Sequence, residues 1–129
     1  MTLLYEADLK GVDPAVVLAG LPVPPDRYTA RLVEGTARAR AELDAVLADL
    51  AEGWELDRMP VVDRAILRLA LYELSAEPEV PAEVVLAEAV ALAGRFSTEA
   101  SSRYVNGVLA NARRRVRGRY DEAAVKRVP

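Results

Sequence analysis

Apolar positions recur at helical spacing along almost the whole chain. In the opening stretch, MTLLYEADLKG, Leu3, Leu4 and Ala7 fall on one side of a helix, with Leu9 nearby. No Ser, Thr, Asp or Asn stands ahead of them as a cap, so the pattern is already running at Met1. VDPAVVLAGL predicts a short helix capped by Asp13, with Pro14 at its first position. Pro22 to Pro25 predicts a stiff connector. From Asp26 to about Gly53, Tyr28, Leu32, Ala39, Leu43, Val46 and Leu50 recur at intervals of three, four or seven. That stripe predicts one long helix of roughly 40 Å. Gly35 lies inside it, where a glycine implies either a close helix crossing or a kink.

Pro60 opens PVVDRAILRLALYELS, which is apolar almost all round and predicts a central, buried helix. Three of its charges, Asp63, Arg64 and Arg68, share a sector of about 140°, and Leu67 and Leu71 fall inside that sector. EPEVP breaks the chain, and PAEVVLAEAVALAGRF predicts the next helix. STEASS follows, with Ser97 or Ser101 as candidate caps. In SRYVNGVLANARRRV, Val105, Val108, Leu109, Ala112 and Val116 make one amphipathic face. Residues 117–129 read as a basic, mobile tail beyond a helical domain of residues 1–116. With no strand alternation and no solenoid repeat, the expectation is an all-α compact bundle of about six or seven helices.

Composition narrows the chemistry. Of 129 residues, 52% are hydrophobic but only 5% aromatic, so Leu, Val and Ala must fill the core. Cysteine and histidine are both absent. That removes disulfides, thiol chemistry, cysteine-ligated zinc, and the usual general base near neutral pH. No apolar run approaches a membrane span and no signal peptide is recognisable, which makes cytoplasmic the default expectation. Charge is uneven: residues 1–112 hold 10 Lys/Arg against 18 Asp/Glu, whereas residues 113–129 hold 7 against 2. An acidic body suits a basic partner better than it suits a nucleic-acid backbone.

No phosphate-cradling GxxxxGK[ST] or GxGxxG occurs, and a Ser/His/Asp or Cys/His site is impossible. Acid pairs such as Glu52 with Glu55 read as solvated surface. No enzyme is expected, which leaves binding. The arginines at 113, 114, 115, 117 and 119 could contact phosphates, although a cation-rich helix C-terminus is the plainer account. Tyr5 and Tyr104 could stack on bases or simply pack half-buried. Leu67 and Leu71 could form a partner patch or lie beneath a neighbouring helix. For Asn106 and Gly107 the plainer account is a buried amide beside a close contact.

Three segments together resemble one family, the NusB proteins. GWELDRMPVVDRAILRLALYELS looks like the family's central signature, and PAEVVLAEAVALAGRFSTEASSRYVNGVLANA like the helices that follow. LLYEADLKG resembles the end of the first NusB helix. The resemblance implies an all-helical bundle of two packed subdomains. It also implies a transcription antitermination factor that pairs with the ribosomal protein NusE and binds boxA RNA of nascent ribosomal RNA leaders. The pair then helps an RNA polymerase antitermination complex read through terminators, with no cofactor and no membrane. By resemblance, Asp57 and Asp63 fall where the family presents acids to the basic partner, with Arg64 and Leu67 bordering them. Tyr5, Arg103 and Tyr104 fall on RNA-contacting positions.

The departures from the family pattern bear on RNA affinity. An arginine-rich stretch usually precedes LLYE, and Met1 stands where it should end, so an upstream segment is expected to be missing. Ala100 replaces a common acid, Ala87 a common Asn and Gly94 a common Lys. Two alternatives stay open. One is the RNA-positioning domain of ribosomal-RNA cytosine methyltransferases, which would continue into a Rossmann-type domain. The other is a protein-binding or dimerising relative without RNA function. A homodimer is compatible with either the family or this last alternative.

Overall fold

A computed structural model of the protein describes residues 26–50 and 59–127, with side chains as far as Arg117. The predicted helices ahead of Asp26, the connection around Trp54, and the candidate residues Tyr5 and Asp57 lie outside the described residues. Five helices occupy the described part: α1 (Arg27–Arg38), α2 (Arg40–Leu50), α3 (Val61–Ala76), α4 (Ala82–Phe96) and α5 (Glu99–Arg127). The all-α expectation holds throughout them.

Helix α3 is the axis, packing against each of the other four. Its sequence explains why: Ala65, Ile66, Leu67, Ala70, Leu71 and Leu74 face in several directions and all are buried. Val85, Ala89 and Ala93 of α4 meet them from one side. Val105, Val108, Leu109 and Ala112 of α5 meet them from another, on the face the spacing predicted. Fully burying a Leu such as Leu67 contributes about 1.5–3 kcal/mol, so this aliphatic layer supplies most of the drive to fold.

The single helix predicted from Asp26 to Gly53 is two. Its start is as expected, with the Asp26 carboxylate accepting the Thr29 N–H at 2.7 Å. The helix breaks at Ala39, although the Ala39 N–H still reaches the Gly35 carbonyl and the Leu43 N–H the Ala39 carbonyl. The interruption is a single residue, Ala39, whose ψ of 7° departs from the helical value. Gly35 has the other role expected of it: a Cβ there would lie 2.1 Å from Cζ and Oη of Tyr72, so the α3 ring rests directly on the α1 backbone. Nearby, the Tyr28 hydroxyl donates to Glu73 at 2.8 Å, and Arg31 bonds Glu77 at 2.7 Å. Gly94, a departure from the family pattern, does similar work: a Cβ there would lie 3.1 Å from the Ser102 Oγ of α5.

The final helix runs past the expected boundary at Val116 to Arg127. Arg117, the first residue of the expected tail, is only 8% exposed. Its guanidinium donates to the carbonyls of Leu74 at 3.1 Å, Glu77 at 2.9 Å and Val80 at 2.5 Å. Those carbonyls belong to the end of α3 and the turn after it, which have few backbone donors left to them. One arginine thus caps α3 and clamps α5 across it.

Candidate functional site

The site begins where α3 and α5 start side by side. Asp63, in the first turn of α3, is 2% exposed. Its Oδ2 accepts from the Ser101 hydroxyl at 2.8 Å, whereas Oδ1 is buried with no hydrogen-bond partner among the described residues. Ser101 in turn accepts from the hydroxyls of Ser97 at 3.0 Å and Thr98 at 3.1 Å. The cap of α5 is Thr98, whose Oγ1 accepts the Ser101 N–H at 3.0 Å, in place of the Ser97 or Ser101 expected. A carboxylate among hydroxyls in the first turn of α3, where the helix dipole is positive, is electrostatically favourable. The result is a fixed corner that sets where the next turn of α5 points.

That turn carries Arg103 and Tyr104. Arg103 is exposed and forms no ion pair among the described residues. Tyr104 is half-buried against the core. Burial, and then the negative charge of Asp63, push its phenol pKa above the ordinary value, so the ring is neutral at physiological pH.

The structure brings Asp63, Arg103 and Tyr104 together but does not present the whole expected partner surface. Leu67 has 0% exposure and belongs to the core, under the neighbouring helices, so it offers no contact to another molecule. Asp63 is likewise buried and bonded within the chain. Arg64 is half-buried, with a buried Nε lacking an acceptor among the described residues. Two of the three charges in the charged sector of α3 are partnered within the chain: Asp63 with Ser101, and Arg68 in a two-pronged pair with Asp44 of α2, at 2.6 and 3.0 Å.

The arginine run on α5 is sorted by position. Arg113 pairs with Glu83 at 2.5 Å, Arg115 reaches Asp49 at 3.4 Å, and Arg117 holds its three carbonyls. Arg114 is exposed and bonds only the neutral Asn111 of its own helix. Asn106 and Gly107, expected in an interior contact, are both exposed, and a Cβ on Gly107 would meet nothing within 4 Å. Sequence reasoning also missed Phe96, which is 46% exposed at the end of α4. Among the described residues no group of three or more Asp or Glu is arranged to hold a metal ion. No helix there is long and apolar enough to cross a membrane.

The described residues thus form an all-helical scaffold that carries an exposed arginine and a half-buried tyrosine beside a hydroxyl-braced corner. The chain belongs to the NusB family, whose model matches residues 17–114. It is 53% identical over 119 residues to a transcription antitermination protein NusB of Acidothermus cellulolyticus, covering 88% of this chain and 81% of the relative. It is 50% identical to the protein of that name from Saccharopolyspora erythraea, covering 82% and 76%. In three dimensions it is similar to T. maritima NusB, with a TM-score of 0.79, 32% identity and coverage of 86% and 82%. It is also similar to a chain in the crystal structure of antitermination factors NusB and NusE in complex with dsRNA, with a TM-score of 0.74, 26% identity and coverage of 85% and 86%.

Proposed function

We propose that this chain is a cytoplasmic transcription antitermination factor that pairs with the ribosomal protein NusE and binds boxA RNA. It acts within an RNA polymerase antitermination complex and catalyses no reaction. The observation that carries this reading is the fold shared with a chain of the structure of antitermination factors NusB and NusE in complex with dsRNA. Local chemistry supports it: Arg103 offers an uncommitted cation to a phosphate, and the neutral ring of Tyr104 beside it offers a stacking surface. Asp63 serves as a positioning residue beneath them, through Ser101. The partner contacts rest on Arg64 and, by resemblance, on Asp57; Tyr5 joins the RNA contacts by resemblance alone.

Calorimetric titration of the chain with its cognate NusE, followed by boxA RNA, tests the reading. Expected are binding of the partner and RNA uptake by the pair. Absence of partner binding by a folded chain would overturn it. Tyr104→Ala is expected to weaken RNA uptake about tenfold while sparing the partner; equal losses in both would make Tyr104 structural only.

A further inference from the structure

Helix α5 carries a second surface beyond its corner. At 100° per residue, Arg103, Gly107 and Arg114 lie within about 40° of one another, opposite the buried Val105, Leu109 and Ala112. Arg103 and Arg114 stand about 16 Å apart along the axis. Asn106 and Asn111 flank the line between them, and all five residues are exposed. In a chain with 20 Asp and Glu, none occurs between Glu99 and Asp121. Of the other described cations of the helix, Arg113 is paired with Glu83, Arg115 with Asp49, and Arg117 bonds carbonyls. The charges of Arg103 and Arg114 are uncompensated among the described residues.

Gly107 gives this face its meaning. A glycine in a helix interior is destabilising relative to alanine, and none of the described residues needs it, since a Cβ there would meet none of them and the position is exposed. Its bare backbone admits something from outside. The visitor is not an apolar protein surface, because the exposed large hydrophobics, Tyr28, Val84 and Phe96, all lie on other helices and leave this face without an anchor. Two separated arginines, two amides and a backbone open to close approach match a sugar–phosphate chain.

We propose that the outward face of α5 from Arg103 to Arg114 is a track for the backbone of single-stranded RNA. Gly107 is the point of closest approach, and Arg114 is a phosphate contact at the far end. The proposal rests on the reading that this chain binds RNA, and extends the contact two to three helical turns beyond the corner.

The test is fluorescence anisotropy of a labelled single-stranded boxA RNA, titrated with the chain and its NusE partner over a salt series. The variants are Gly107→Ala, Gly107→Leu, Arg114→Gln and Arg103→Gln. Gly107→Leu is expected to weaken binding about tenfold, and Arg114→Gln to flatten the salt slope by about 0.7. Gly107→Ala is expected to melt no lower than the parent, which separates the effect from misfolding. If Arg103→Gln weakens binding but Gly107→Leu and Arg114→Gln do not, the track is overturned and RNA binding at the corner stands. If the parent pair takes up no RNA, the underlying reading fails and the track with it. If Gly107→Leu weakens binding of NusE instead of RNA, the face is a protein surface and the track is overturned.

Discussion

Gly35 and Gly107 both sit inside helices, and the same substitution has opposite consequences at the two. A methyl group at Gly35 would collide with the Tyr72 ring, 2.1 Å away, so Gly35→Ala must push α1 off α3. The expected cost is about 2–3 kcal/mol. At Gly107 the methyl group meets nothing, and Gly107→Ala is expected to stabilise the chain by up to ~1 kcal/mol. Urea unfolding midpoints of the two variants check both signs. Tyr104 adds a pH dependence. Its folded pKa is raised, by burial first and Asp63 second, so folding favours the protonated phenol. Below about pH 10, the unfolded value, that contribution is fully present. As pH rises further the unfolded chain loses its proton first, and stability falls until the folded phenol also ionises. Alkaline unfolding followed by circular dichroism is expected to be shallower in Tyr104→Phe.

Among the elements, the aliphatic spacing located α3, α4 and the first half of α5 well, because hydropathy reports which face is buried. It was blind to what polar groups do. The apolar period of α5 ends at Val116, yet the next residue ties the helix to the end of α3 through three carbonyls. Nothing in a periodicity marks an arginine that caps another helix. Nor did it mark the break at Ala39, because the buried stripe runs on through it, with Leu43 and Leu47 following Leu32 and Thr36 at helical spacing. Arg117→Ala takes this donor from the Leu74 and Val80 carbonyls and leaves the Glu77 carbonyl with only the Val80 N–H, and is expected to cost about 2–3 kcal/mol. Arg117→Lys is expected to recover only part of that, because a single ammonium cannot span three separated acceptors. Thermal melts of the two variants should rank Arg117→Ala lowest.

At the scale of the whole molecule, the family motifs assigned Asp63 to a partner surface and Arg103 and Tyr104 to RNA, whereas the structure sets Asp63 and Tyr104 at one corner. Motif position says which residues matter; only burial says whether they touch a partner. Asp63 is the case in point, since its carboxylate ends in the α5 corner and not on the surface. Asp63→Lys therefore buries a cation and is expected to unfold the chain before it reports on any interface. Asp63→Asn keeps the shape and weakens the bond to Ser101, and Ser101→Ala removes the same bond from the other side. If Asp63 acts on RNA only by holding α5, each single variant should lower RNA affinity by a similar factor. The double variant should then be no worse than either, because one bond has been removed in all three. Losses that simply multiply would mean that Asp63 and Ser101 act independently, and would take Asp63 out of the positioning role.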